Sequence, residues 1–87
     1  MKQVQVSMYA TRFCPYCLRA RALLRRKGVE CEEINVDGDP DLWARMERLS
    51  GRDTVPQIFI GGLSIGGYDD MAALDSAGKL DALLFES

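Results

Sequence analysis

Two thiols separated by two residues, in Cys14-Pro15-Tyr16-Cys17, constrain this chain more than any other feature. A disulfide at that spacing closes across a single helical turn, so the segment reads as the mouth of a helix. Proline suits the first helical position, where its missing N–H costs nothing and its fixed φ is already helical. The N-terminus of a helix offers partial positive charge and unpaired N–H groups, which favour a thiolate. The thiolate is the form that attacks disulfides, so this placement favours redox chemistry. Half of a zinc site is the other reading of C-x-x-C. A structural zinc site wants four cysteine or histidine ligands, and beyond this pair the chain offers only Cys31 and no histidine. Redox chemistry is therefore the reading taken, and no metal is expected.

The hydrophobic pattern around the two thiols predicts alternating strands and helices. Val4, Val6 and Met8 alternate with Gln3, Gln5 and Ser7, which predicts a strand from about Gln3 to Tyr9. The helix that follows should run to Lys27 and stop at Gly28. Cys17, Ala20, Leu23 and Leu24 then share one face, with Arg19, Arg21, Arg25 and Arg26 away from it. That division puts Cys17 on the buried side and Cys14 at the helix entrance, pointing outward. Cys14 is accordingly the attacking thiol and Cys17 the resolving one.

Val29 to Val36 reads as a second strand, and Asp37-Gly38-Asp39-Pro40 as a turn. A second helix is expected from Pro40 to about Leu49, with Leu42, Met46 and Leu49 at core spacing and Ser50-Gly51 closing it. Gln57 to Ile60 and Leu63 to Ile65 read as strands joined by Gly61-Gly62, a two-residue hairpin turn needing positive φ. Asp69 or Asp70 can cap a last helix, with Met71, Leu74, Leu80, Leu83 and Leu84 on its apolar side and Gly78 breaking it in two. The order is β-α-β-α-β-β-α. The first βαβ unit needs parallel strands and a right-handed crossover, and the final hairpin must be antiparallel. An α/β fold follows, a four-stranded mixed sheet flanked by helices in the thioredoxin-like arrangement. Its C-x-x-C lies where the first strand hands over to the first helix.

Eighty-seven residues leave room for one domain, spanning 1–87, without repeats or linkers. A formal net charge of -2 gives no reason to expect nucleic acid or a membrane surface. Arg12, Arg19, Arg21, Arg25, Arg26 and Lys27 nevertheless crowd one short segment. They read as a solvated helix face, partly complementing the helix dipole, and equally as a positive field near the thiols. No apolar run is long enough to span a membrane, the first residues lack a signal-peptide pattern, and three cysteines do not make a secreted disulfide framework. A cytoplasmic location is expected.

Taken with Thr54-Val55-Pro56 and Gly66-Gly67-Tyr68-Asp69-Asp70, the C-P-Y-C motif resembles the dithiol glutaredoxins, most closely the bacterial glutaredoxin-3 type. The resemblance covers nearly the whole chain, with the motifs in order. It implies a glutathione-dependent thiol–disulfide oxidoreductase, with glutathione as the reducing co-substrate. Carried over, Cys14 is the nucleophile that holds the mixed disulfide and Cys17 closes the intramolecular one. Tyr16, otherwise an exposed aromatic, contacts glutathione. Pro56, otherwise a residue tolerated at a strand start, is a cis proline facing the thiols. Thr54, Val55 and Pro56 then offer glutathione a strand-like backbone partner. The Gly67 segment, otherwise a hairpin end and helix cap, receives the γ-glutamyl end, Asp70 by its side chain and Asp69 by its N–H.

The family commonly has a lysine three residues before the first cysteine; Thr11 stands there, and Arg12 is the candidate substitute. Arg45 and Arg52 are both candidates for the glycine carboxylate. Cys31 reads as a small buried hydrophobe in the second strand. The implied partners are glutathione and disulfide-bonded or glutathionylated client proteins, ribonucleotide reductase among them, with the protein itself a monomer. Two other functions are compatible with a C-x-x-C motif on this fold. The glutathione-site residues Thr54, Asp69 and Asp70 argue against a thioredoxin-like reductant served by a flavoprotein reductase. Pro15 and the second thiol argue against an iron–sulfur carrier built on Cys14 and glutathione.

Overall fold

Two central strands that are buried on both faces organise the fold, and helices therefore lie on both sides of one sheet. The computed structural model describes residues 2–86. The elements are β1 (Lys2–Gln3), β2 (Val6–Ala10), α1 (Pro15–Arg26), β3 (Glu32–Asn35), α2 (Pro40–Ser50), β4 (Gln57–Ile60), β5 (Leu63–Gly66), α3 (Tyr68–Ser76), α4 (Leu80–Leu84) and β6 (Phe85–Glu86). The main sheet has the order β3-β2-β4-β5. β2 and β3 are parallel, while β2 with β4 and β4 with β5 are antiparallel. This is the four-stranded mixed sheet expected.

Successive side chains of a strand point to opposite faces. Val6 and Met8 of β2 and Ile58 and Ile60 of β4 therefore face one way, against Cys17, Ala20, Leu23 and Leu24 of α1, Met71 of α3, and Leu80 and Leu84 of α4. Tyr9 and Phe59 face the other way, against Met46 of α2 and Val36. The two rings meet edge to face with centroids 5.7 Å apart. The buried stripe of α1 is the one predicted, and each such leucine contributes about 1.5–3 kcal/mol by leaving water.

Glycines end α1 and α2. Gly28, after the last turn of α1, has φ 73, and Gly51 caps α2 with φ 74. The hairpin turn Gly61-Gly62 has φ 57 and 84, the double positive φ that a two-residue connection needs. The helix break expected at Gly78 falls between α3 and α4.

Four expectations need correction. The first strand is not continuous from Gln3 to Tyr9, because the chain changes partners midway. Lys2–Gln3 pair with Phe85–Glu86, and the Val4 N–H donates to the Leu84 carbonyl at 2.8 Å. The Gln5 carbonyl then accepts from the Gly61 N–H before β2 joins the main sheet. The second strand starts at Glu32 rather than Val29. Its run-in is held by the Gln3 amide, which donates to the Glu30 carbonyl at 2.7 Å and accepts from the Glu30 N–H at 2.9 Å. Cys31 therefore sits just ahead of β3, half-buried rather than enclosed. Leu49 shares a face with Leu42 and Met46 yet is exposed, because that turn of α2 overhangs a groove lined by Gln5, Ser7 and Gly62.

Candidate functional site

The end of β2 delivers the chain to Cys14, which is the N-cap of α1 with extended backbone, φ -113 and ψ 114. An N-cap side chain accepts from the first free N–H groups of its helix. Here the acceptor is sulfur: the Cys17 N–H donates to Cys14 Sγ at 3.2 Å. The other side of that sulfur faces the Val55 carbonyl at 3.7 Å, so the thiol bridges the start of α1 and the loop before β4. The Val55–Pro56 bond is cis. Cys14 is half-buried, whereas Cys17 is closed off from solvent on the core side of the helix.

Burial pushes the Cys17 thiol up to about 12, and its hydrogen bond with Cys14 adds to the shift. At neutral pH Cys17 is thus a protonated thiol beside a more accessible sulfur. Such a pair can form a mixed disulfide at Cys14 and then close a disulfide across the turn. Cys31 is also pushed up, to about 11, by burial and then by Glu33. It lines a separate hollow with Arg21 and Gly28, away from the pair.

A cleft of about 320 Å³ runs beside Cys14, lined by Tyr16, Arg52, the Thr54-Val55-Pro56 loop and the residues Gly67 to Asp70 at the start of α3. Gln57 holds that loop from inside. Its fully buried amide donates to the Thr54 carbonyl at 3.0 Å and to the Thr54 hydroxyl at 3.3 Å. At the far end, Gly67 rather than Asp69 or Asp70 is the N-cap of α3. Asp70 sits three residues in and reaches back, its carboxylate accepting the Gly67 N–H at 2.9 Å, which is one half of a capping box. The same carboxylate oxygen meets Arg52 Nη1 at 2.7 Å. The Arg52 guanidinium, and then the Gly67 N–H, hold the Asp70 carboxyl below the ordinary aspartate range.

Most of the residues singled out in the sequence therefore come together: Cys14, Cys17, Tyr16, Thr54, Val55, Pro56, Gly67, Asp69 and Asp70. Arg12 does not join them. Its N–H donates to the Asp37 carboxylate at 2.8 Å and its Nε lies 3.4 Å from the same oxygen, which draws the side chain away from the cleft. Arg45 lines the groove beneath Leu49 on the opposite face, so Arg52 is the arginine of the two that reaches the cleft. Two further residues contribute: Gln57, which no motif marks, and Gly66, which the motif includes only as the end of the hairpin. Gln57 reads as an ordinary strand residue, and only its polarity in the otherwise apolar run Gln57-Ile58-Phe59-Ile60 hints at an internal task. Gly66 has φ 111, and a Cβ there would run into the Asp70 carboxylate.

Among the described residues no group of three metal-ligating side chains is assembled, and no helix is long and apolar enough to cross a membrane.

Comparison with known proteins bears on this arrangement directly. The sequence model of the Glutaredoxin family matches residues 6–65. The chain is 57% identical over 79 residues to a glutaredoxin of Pseudomonas aeruginosa, covering 91% of this chain and 94% of that protein. It is 52% identical over 79 residues to glutaredoxin 3 of Escherichia coli K12, covering 91% of this chain and 95% of the other. A buckwheat glutaredoxin solved as a complex with glutathione superposes with a TM-score of 0.86 at 31% identity, over 93% of this chain and 76% of that one. The Cys14–Cys17 pair, the thioredoxin-like sheet and these relatives agree: the chain belongs to the glutaredoxin family of glutathione-dependent thiol–disulfide oxidoreductases.

Proposed function

We propose that Cys14 is the nucleophile, Cys17 the resolving thiol, and the cleft beside them the seat of glutathione. The observation that carries this reading is the continuity from the Cys14 sulfur, past the Val55 carbonyl, to the charged pair Asp70 and Arg52 at the far end of one cleft. Glutathione is an extended tripeptide with a central thiol and a zwitterionic γ-glutamyl end. With its sulfur at Cys14, its backbone runs along Thr54, Val55 and Pro56 as an added strand. Its ammonium meets the Asp70 carboxylate. Its γ-glutamyl carboxylate meets N–H groups at the start of α3, with the Asp69 N–H among them, where the helix dipole favours an anion. Arg52 is available to a carboxylate of the tripeptide, and Tyr16 forms a wall.

With a glutathionylated client, Cys14 attacks the glutathione sulfur. A Cys14–glutathione disulfide forms, the client–glutathione bond breaks, and the client leaves as a thiolate that takes up a proton. A second glutathione thiolate then attacks the bound glutathione sulfur, releasing glutathione disulfide and restoring Cys14. With a disulfide-bonded client, Cys14 attacks one client sulfur and frees the other. Cys17 loses its proton, attacks Cys14 and expels the reduced client, leaving the Cys14–Cys17 disulfide for two glutathione molecules to reduce. The buried, protonated state of Cys17 supports the first route, since a mixed disulfide on Cys14 persists long enough for external glutathione to reach it.

The reading extends to a single domain over 1–87 acting as a monomer in a reducing cytoplasm, a compartment suited to free thiols. Its clients are disulfide-bonded or glutathionylated proteins, and ribonucleotide reductase fits that class. No resident metal is required.

The test is turnover of a glutathionylated peptide with glutathione, glutathione reductase and NADPH. Wild type and Cys17→Ser should both be active and Cys14→Ser inactive. On a protein disulfide, Cys17→Ser should fail. Equal loss of both activities in Cys17→Ser would contradict the resolving role.

A further inference from the structure

The exposed surface around Cys14 extends beyond the cleft. Phe13, immediately before the nucleophile, is 91% exposed, and Tyr16 is 49% exposed. Packing does not explain an aromatic ring almost wholly in water, and large exposed apolar groups beside a reaction centre mark contact surfaces. Each ring carries a guanidinium. The Arg12 carbon lies 5.8 Å from the Phe13 centroid, and the Arg19 carbon 5.2 Å from that of Tyr16. Arginine stacked on aromatics makes a flat surface that is both apolar and cationic.

Of the two guanidiniums, that of Arg12 is shared with the Asp37 carboxylate at 3.4 Å, whereas that of Arg19 is not. The first turn of α1 carries no acidic side chain, and among the described residues Arg19 makes no ion pair. Tyr16 belongs both to this face and to the cleft, so the two surfaces meet at Tyr16, two residues from Cys14. On the reading of the cleft as the glutathione seat, a client that brings its sulfur to Cys14 must lay its own chain over the remaining side, across Phe13 and Arg19.

We propose that Phe13, Tyr16 and Arg19 form a client-docking face that selects protein segments whose reactive cysteine is flanked by an apolar residue and an acidic one. The apolar neighbour covers the Phe13 ring, and the carboxylate pairs with Arg19. Rims of like charge act mainly on encounter rate, and interface aromatics supply much of the contact energy.

The test avoids glutathione, so that it stands apart from the cleft reading. Two peptides of equal length, one with Leu and Asp beside a single cysteine and one with Leu and Lys, are activated as mixed disulfides with 5-thio-2-nitrobenzoate. Cys14 attacks the peptide sulfur, a Cys14–peptide disulfide forms, and the coloured thionitrobenzoate leaves as a thiolate. The mixed disulfide of 2-mercaptoethanol serves as the small reference, and every rate is taken relative to it. Wild-type protein should react about five- to tenfold faster with the acidic peptide at low salt, and the preference should shrink in high salt. Arg19→Glu should reverse the preference. Phe13→Ala should slow both peptides about threefold or more without slowing the reference disulfide. Equal rates for the two peptides, or variants that slow the reference as much as the peptides, would overturn the docking face. Failure of the glutathione turnover assay with the peptide preference intact would refute the cleft reading and leave this one standing.

Discussion

Replacing Asp70 by asparagine separates two tasks that one carboxylate performs. Its oxygen caps α3 through the Gly67 N–H, and its charge faces Arg52 and, on the proposed reading, the ammonium of glutathione. Asparagine keeps an oxygen for the cap, so the roughly 1 kcal/mol that a cap contributes is retained. The ion pair with Arg52 is lost. Its side chains are 51% and 41% exposed, so solvent screens it to a few tenths of a kcal/mol. Asp70→Asn should therefore lower Tm by no more than about 4 °C. Binding responds differently. A hydrogen bond to a charged group contributes about 1.5–3 kcal/mol, and the exposure of Asp70 points to the lower end, a loss of about tenfold in affinity.

The assay is steady-state deglutathionylation, with Tm measured on the same samples. KM for the glutathionylated peptide should rise about tenfold with kcat little changed. The pH dependence gives a second check. Asp70 has a lowered pKa in the folded state, so its charge and the stability linked to it are present above the ordinary aspartate value and are lost as pH falls through the folded one. KM of the wild type should thus stay flat from about pH 8 to 5 on this group's account. A KM within about twofold of wild type would refute the ammonium contact and leave Asp70 as a helix-capping residue alone.

Gln57→Leu removes the hydrogen bonds to Thr54 at a fully buried position; the loop should loosen and KM for glutathione rise several-fold, while urea unfolding moves by about 1–2 kcal/mol. An unchanged KM would remove Gln57 from the positioning of the loop. Gly66→Ala places a methyl group against the Asp70 carboxylate at φ 111 and should reproduce the KM defect of Asp70→Asn with a larger loss of Tm. Leu24→Ala, in the core facing β2, should destabilise by about 2–5 kcal/mol in urea, without a change in substrate preference where the variant remains folded. Alkylation of Cys31 by iodoacetamide, followed by mass spectrometry in the Cys14→Ser, Cys17→Ser background, should be slow at pH 7 and rise about tenfold per pH unit toward its pKa of about 11. Rapid labelling at pH 7 would show a reactive third thiol.

The features legible in the sequence were those fixed by short-range chemistry. The stripe Cys17, Ala20, Leu23 and Leu24, the stop at Gly28 and the turn Gly61-Gly62 each depend on a few neighbouring residues, and each stands where expected. What escaped the sequence depends on distant partners. β1 exists because the far end of the chain returns beside it, and no local pattern in two residues announces that. Leu49 has the periodicity of a core residue, but the sheet beneath it is polar at Gln5 and Ser7. Arg12 lies next in sequence to the position the family gives to lysine, yet Asp37 across the β2–β3 junction takes its N–H. The choice of Arg52 over Arg45 likewise turns on which side of the sheet each end of the α2 region meets, a tertiary question.

The pairing of β1 with β6 has a topological consequence. Lys2 lies opposite Glu86 and Gln3 opposite Phe85, so β1 and β6 form a two-stranded seam of their own, apart from the main sheet. Because β2 runs from Val6 toward Ala10 and the thiols follow it, that seam lies at the end of the sheet remote from Cys14. Opening of this short seam, which only two residue pairs hold, would therefore leave the strand that leads to the thiols still paired on both sides within the main sheet.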